Sequence, residues 1–235
     1  MRILAIDSSG LVATVALLED SSMIAEYTMN YKKTHSQTLL HMIDEIIQQT
    51  DFDKNSIDAI AVAAGPGSFT GLRIGCATAK GLGLALEKPI IPVPTVDGLA
   101  YNMAGVSKLV CPLMDARRNQ VYTGLYSFED NVMEVVDPQM AVAIEEIIDK
   151  INAAGRPVVF LGDGVDVQKD YIAEHIKVPY SFAPAHMSRQ RAGALGALAF
   201  RYYEQGKVEH ARDHKPDYLR LSQAERERME REQKK

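Results

Sequence analysis

Gly65-Pro66-Gly67-Ser68-Phe69-Thr70-Gly71-Leu72-Arg73-Ile74-Gly75 joins an apolar strand to a helix, and that junction sets the α/β reading of the whole chain. The segment before it, Ile57 to Ala64, is apolar except for Asp58, the pattern of a short strand buried on both faces. Pro66 has no N–H and biases Gly65 away from helix, so the strand stops there. Gly67 frees the backbone, and Ser68 or Thr70 can cap the helix that follows. Unpaired N–H groups at such a helix start can hold an anion.

As a nucleotide loop the stretch fails on detail. A Walker A loop needs Gly-Lys followed by Ser or Thr, and Thr70-Gly71-Leu72 occupies that place. In the dinucleotide pattern Gly65 and Gly67 are correctly spaced, but Thr70 stands at the third glycine and no ribose-binding acid follows. Packing explains the glycines better. From Gly71 to Leu86, Gly71, Gly75, Ala79 and Gly83 recur every fourth residue, with Ala77, Gly81 and Ala85 as a second small stripe beside them. Each interior glycine costs about 1 kcal/mol against alanine, so close packing against another helix, in this chain or in a second one, must offset it. Gly75→Leu is therefore expected to overpack such an interface by about 1 to 3 kcal/mol. Arg73 and Lys80 exclude a membrane span.

The 235 residues are 46% apolar and 24% charged, the composition of a soluble globular protein of one large domain or two lobes. Met1 to Ile6 begins a strand directly, without the regions of a signal peptide, and two cysteines, Cys76 and Cys111, make no disulfide framework. The expected compartment is cytoplasmic. A net charge of −5, from 26 basic and 31 acidic residues, argues against this chain alone gripping a phosphate backbone.

Arg2 to Ile6, Val12 to Leu18 and Met23 to Met29 read as strands. Ser36 can cap a helix from Gln37 to Gln49 with Leu39, Leu40, Ile43, Ile46 and Ile47 on one face. From Leu109 the pattern starts again: a strand at Val110 to Met114 ends in Asp115, Ala116 to Asn119 turn, and Val121 to Tyr126 return. Further strands at Val132 to Val136 and Val158 to Leu161, and helices at Ile144 to Ile151 and Ala192 to Tyr203, complete a second, related half. Gly162-Asp163-Gly164 follows a strand end, where open α/β sheets bind ligands. The expected lobes are 1–105 and 106–221, followed by a charged tail at 222–235 whose Glu and Arg pairs sit at i,i+4.

Asp7, with Ser8 and Ser9 after it, and Asp115 are placed to hold a metal-bound phosphate, or simply to cap their own turns. His35 beside Ser36 is a poor base and nucleophile, because adjacent side chains rarely face each other. His210 and His214 have helical metal-ligand spacing but no third ligand, which favours a surface role. No catalytic residue and no metal ligand is assigned.

Ile3-Leu4-Ala5-Ile6-Asp7-Ser8-Ser9, Thr34-His35-Ser36-Gln37-Thr38-Leu39-Leu40, Gly65 through Gly75, Asp115-Ala116-Arg117 with Val121-Tyr122, Gly162-Asp163-Gly164 and Pro216-Asp217-Tyr218-Leu219-Arg220 together resemble the TsaB (YeaZ) family, in order and along essentially the whole chain. The resemblance implies the two-lobed α/β fold of the actin, Hsp70 and sugar-kinase (ASKHA) group and a part in making N6-threonylcarbamoyladenosine in tRNAs that read codons starting with A. It implies a non-catalytic subunit that supports a TsaD-type transferase, with a TsaE-type ATPase joining, tRNA reached through the complex, and a homodimer in isolation. ATP or ADP and a metal are implied for the partner assembly and none for this chain alone. The implied interface takes in Gly67, Phe69, Thr70, Gly71, Arg73, Ile74, Gly75, Thr78 and Leu82, with Leu39 and Ile43 of the preceding helix. Asp7, Ser8, Ser9, Asp115, Arg117 and Asp163 are possible nucleotide or anion contacts. The alternative is a self-sufficient ATPase or peptidase of the glycoprotease group.

Overall fold

Residues 1–20, 22–31 and 35–220 are described in the computed structural model, so Thr34 of the motif above and the expected tail at 222–235 lie outside the described residues. The chain folds as the same unit twice. The first is β1 (Arg2–Asp7), β2 (Ala13–Glu19), β3 (Ser22–Met29), α1 (His35–Gln49), β4 (Ala59–Gly65), α2 (Phe69–Ala85), β5 (Ile90–Pro94) and α3 (Thr95–Tyr101). The second is β6 (Leu109–Asp115), β7 (Gln120–Glu129), β8 (Val132–Ala143), α4 (Ile144–Ala154), β9 (Val158–Leu161), α5 (Gly164–His175), β10 (Tyr180–Phe182) and α6 (Ala192–Glu204). The sheets run β3-β2-β1-β4-β5 and β8-β7-β6-β9-β10, each with two antiparallel hairpin pairs followed by two parallel ones. This is the expected duplicated, two-lobed α/β architecture.

The central strands are buried on both faces, which is why they read as unbroken apolar runs. Along β1, Leu4 and Ile6 join α1 and α2 in one core, while Ile3 and Ala5 join α6 in another. The second sheet packs α4 and α5 on one face and α3 on the other. The closing helices are thus exchanged. Val96, Leu99 and Ala100 of α3 pack on β6, β7 and β9 of the second sheet, and Leu195, Leu198 and Ala199 of α6 pack on β1, β4 and β5 of the first. The expected lobe of 106–221 is corrected accordingly: α6 follows the second sheet in sequence but belongs to the first in space. Gly196 makes that fit possible, since a Cβ there would lie 2.3 Å from Leu18 Cδ1. The start of α6 is capped from the first sheet, with Thr14 Oγ1 accepting from the Ala192 N–H at 3.1 Å and Glu26 Oε1 from Gly193 at 2.9 Å.

Other boundaries also move. Helix α1 begins at His35 and leaves Ser36 exposed inside its first turn, not as its cap, and β8 runs on to Ala143. Residues 205–220 are not helical, so His210 and His214 do not share a helix face.

A buried carboxylate ties the exchanged helices together. Asp97 of α3 accepts from the Tyr126 hydroxyl of β7 and the Tyr202 hydroxyl of α6, each at 2.6 Å, one phenol on each oxygen. Burial and the neighbouring carboxylate hold both phenols far above their ordinary ionisation range. Gly124 leaves the room, because a Cβ there would lie 2.7 Å from the Tyr126 hydroxyl. Tyr126→Phe removes a charge-assisted hydrogen bond and leaves a buried oxygen without its donor, so it should destabilise the chain by about 1 to 3 kcal/mol in urea unfolding. A change below about 0.5 kcal/mol would show that the pair carries no net stability.

Candidate functional site

The glycine stripe of α2 is filled by the chain's own first turn. Beyond β1, Asp7 Oδ1 accepts from the Ser9 N–H at 2.8 Å and the Ser9 hydroxyl at 2.6 Å. Ser8 Oγ donates to the Gly71 carbonyl at 2.9 Å, and the Ser68 N–H donates to the Ser9 carbonyl at 2.6 Å. A Cβ on Gly67 would lie 2.4 Å from the Ser9 carbonyl oxygen, one on Gly71 2.1 Å from that of Ser8, and one on Gly75 2.6 Å from Ser8 Oγ. One turn further on, Ala79 sits in the core and a Cβ on Gly83 would meet the Ala211 Cβ at 2.8 Å. The close packing deduced from sequence is real, but its partner is the Asp7–Ser9 turn and the C-terminal segment, not a helix of another molecule. Gly71, Gly75, Leu39 and Ile43 are buried inside the lobe and are removed from the expected interface.

Ser68, not Thr70, caps α2, its hydroxyl accepting from the Gly71 N–H at 3.3 Å. The C-terminal segment then runs back along this helix. Glu209 pairs with Ile90 of β5, Lys80 Nζ donates to the carbonyls of Arg212 and His214, and the Asp217 N–H donates to Ala64 at 2.6 Å. Gly65 has φ +128°, and a Cβ would stand 2.0 Å from the Asp217 carbonyl oxygen, so only glycine fits under this strap. Tyr218 lays its ring 4.7 Å from that of Phe69, while Arg73 places its guanidinium 4.0 Å over Phe69 and donates to the Tyr218 hydroxyl. Arg220 crosses to the second lobe and donates to the Ala116 carbonyl at 2.7 Å.

The other expected anion contacts fall into two groups. Asp115 Oδ1 accepts from the Arg117 N–H at 2.8 Å, and Asp163 Oδ1 accepts from the Asp115 N–H at 3.3 Å, so these three meet at the ends of β6 and β9. Asp7, Ser8 and Ser9 form their own turn under α2. Asp7 and Asp115 both cap turns through i,i+2 bonds. Burial pushes the Asp7 carboxyl up to about 6 against the two Ser9 bonds, and burial also raises Asp163, with Arg189 opposing it. Among the described residues no three of His, Cys, Asp and Glu come together to hold a metal ion. His214 is 1% exposed, with Nδ1 2.7 Å from Glu209 Oε1, which corrects the surface role expected for it. His35 Nε2 lies 2.8 Å from the Gly10 carbonyl oxygen.

What α2 presents to solvent is the second small stripe. Arg73, Ala77, Gly81, Leu84 and Ala85 face outward, with Thr70 at the start of the helix and Thr78, Ile74 and Leu82 half-buried at the border. Leu84 is 51% exposed, Leu40 on the neighbouring α1 is 59% exposed, and a Cβ on Gly81 would meet nothing within 4 Å. Leu40 was assigned from sequence to the inward face of α1 and Leu84 to none. Both stripes of α2 have four-residue spacing and small side chains, so periodicity alone does not say which one turns inward.

Residues 22–228 match the family model described as TsaD, tRNA N6-adenosine threonylcarbamoyltransferase. The chain is 36% identical over 228 residues to the tRNA threonylcarbamoyladenosine biosynthesis protein TsaB of Bacillus subtilis (strain 168), covering 96% of each. It is 31% identical over 227 residues to TsaB of Escherichia coli (strain K12), covering 94% of this chain and 95% of that protein. The solved structure of YeaZ from Pseudomonas aeruginosa is similar with a TM-score of 0.78 at 27% identity, covering 93% of this chain and 99% of that one. Matches of this length and identity, on a duplicated fold closed by the glycine loop and the C-terminal strap, mean that the chain belongs to the TsaB (YeaZ) family of tRNA threonylcarbamoyladenosine biosynthesis proteins.

Proposed function

We propose that this chain is a non-catalytic docking subunit: it binds a TsaD-type transferase, which carries out threonylcarbamoylation of tRNA, and a TsaE-type ATPase joins the assembly. The observation that carries this is the bare outward face of α2. An exposed glycine in a helix interior costs about 1 kcal/mol relative to alanine, and among the described residues nothing lies within 4 Å of where a Cβ on Gly81 would stand. Ala77 and Ala85 flank it, and Leu84 and Leu40 add apolar surface on α2 and α1. A partner helix laid on this smooth strip would bury the leucines and approach the backbone closely. In isolation a second copy would compete for the same strip, which gives the homodimer.

A self-sufficient ATPase or peptidase has less support. Asp7 and Asp115 are engaged as turn caps, and a carboxyl as buried as Asp7 is poorly suited to hold a cation while its Oδ1 serves Ser9. The nucleotide and metal of the reaction are accordingly assigned to the partner subunits.

Reconstitution of the modification with and without this chain tests the proposal, and two substitutions locate the surface. Gly81→Leu should leave the chain as stable or up to about 1 kcal/mol more so, while overpacking the docked helix by about 1 to 3 kcal/mol and weakening pairing by about 5- to 150-fold in sedimentation. Gly75→Leu, aimed at Ser8 Oγ only 2.6 Å from its Cβ, should instead destabilise the chain itself. Full pairing and full modification with Gly81→Leu would place docking elsewhere.

The buried turn has its own signature. The Asp7 carboxyl, with an ordinary value of 3.8, is raised to about 6, so its contribution is fully present below pH 4 and is lost as pH rises through 6. Asp7→Asn keeps an acceptor for Ser9. Its stability should match the parent near pH 4 and exceed it by up to about 3 kcal/mol at pH 8. A difference independent of pH would contradict the buried-carboxyl account.

A further inference from the structure

We propose that Arg73 is the charged anchor of the docking strip on α2 and takes a carboxylate of the transferase; the inference rests on the docking reading above and adds the chemistry and direction of the partner's approach. The strip is otherwise neutral. From Ala59 to Leu86 the chain has no Asp or Glu, and its two cations there are Arg73 and Lys80. Lys80 is spent on the strap, where its Nζ donates to the carbonyls of Arg212 and His214. Arg73 heads the outward row, one turn before Ala77 and two before Gly81.

The guanidinium is held in place. It lies 4.0 Å over the ring of Phe69, its i,i+4 neighbour, and its Nε donates to the Tyr218 hydroxyl at 3.2 Å, while the Tyr218 ring packs 4.7 Å from that of Phe69. One face and one nitrogen are thereby used. The end of the fork, Nη1 and Nη2, makes no hydrogen bond or ion pair among the described residues. Two coplanar N–H donors side by side match the two oxygens of a carboxylate, and a fork already oriented loses little further freedom on pairing. Arg156, Arg201 and Arg212 also lack an ion pair, but they lie off α2 and no aromatic ring holds them among the described residues.

The helix itself calls for an outside anion. Its first turn holds no acid, and Arg73 is the fifth residue, so a cation sits close to the positive end of the dipole with no carboxylate to offset it. Arginine and tyrosine at the end of an apolar face are also the residue types that carry binding energy in interfaces. This placement gives the partner a direction. Its acid comes to the Phe69 end of the strip, and its small or apolar side chains lie over Ala77, Gly81 and Leu84.

The test measures pairing of the full chain with the transferase by sedimentation at several KCl concentrations, for the parent, Arg73→Gln and Arg73→Lys. Glutamine keeps an N–H donor near the position of Nε and removes the charge; lysine keeps the charge and loses the fork. Arg73→Gln should weaken pairing by about 10-fold or more at low salt and flatten its dependence on KCl, because a salt-screened ion pair is lost. Arg73→Lys should keep most of the salt dependence and lose part of the affinity. Arg73→Gln pairing as tightly as the parent would overturn the proposal. So would a loss equal at every KCl concentration, which would make Arg73 a support for the strap alone. If the parent fails to pair, or Gly81→Leu pairs in full, the docking reading falls and this proposal with it. A parent that pairs, a Gly81→Leu variant that does not and an indifferent Arg73→Gln would overturn this proposal only.

Discussion

One carboxylate holding two phenols fixes how the halves of this molecule meet. Asp97 lies on the helix that closes the first unit, Tyr126 on the second sheet and Tyr202 on the helix that closes the second unit. Because those helices are exchanged, neither sheet has a complete core without the other half of the chain. Separating the lobes would expose Val96 and Leu99 on one side and Leu195 and Leu198 on the other, and would take the Tyr202 hydroxyl away from Asp97. The expected consequence is a rigid body whose surfaces keep fixed relative positions, with the strap from Glu209 to Arg220 as a second tie between the lobes.

Helix α2 carries small residues on two sides, and the described chain packs against only one of them. The inner side of α2 is shaved to glycine so that the Asp7–Ser9 turn can press against its backbone, with Ser8 bonded to the Gly71 carbonyl. The same four-residue rhythm two positions along, on the opposite side of the helix, leaves Ala77, Gly81 and Ala85 facing outward. The small residues inside are accounted for by the close approach of Ser8, Ser9 and Ala211. Those outside are not, and they give the surface its character: flat, apolar and open to close approach, with charge only at its Arg73 end.

Much of this was legible in the residues. Continuous apolar runs at β1, β4 and β9 announced strands buried on both faces, and the repeat of strand, aspartate, turn and strand announced the duplication. Other elements lacked a local signal. Strand β5 carries two prolines and receives no assignment from sequence, and α5 fully buries only Gly164, Gln168 and Ile172, too few apolar side chains to mark a stripe. The exchange of α3 and α6 was invisible because amphipathicity says that a helix has an inner face, not which sheet receives it. The Asp97 bonds join residues 29 and 105 apart in sequence, beyond any spacing rule. Of the candidate site, the glycine loop was found and its tight packing deduced, but the identity of its partner depended on where the N-terminal turn lands.

The central claim is that the outward face of α1 and α2 meets the transferase. Hydrogen–deuterium exchange of this chain, free and mixed with its transferase, tests it most directly. The account predicts slowed exchange in peptides spanning 70–86 and 36–48, with the exposed edge strand β8 unchanged. Protection confined to β8, or none on either helix in a mixture that sediments as a complex, would contradict it.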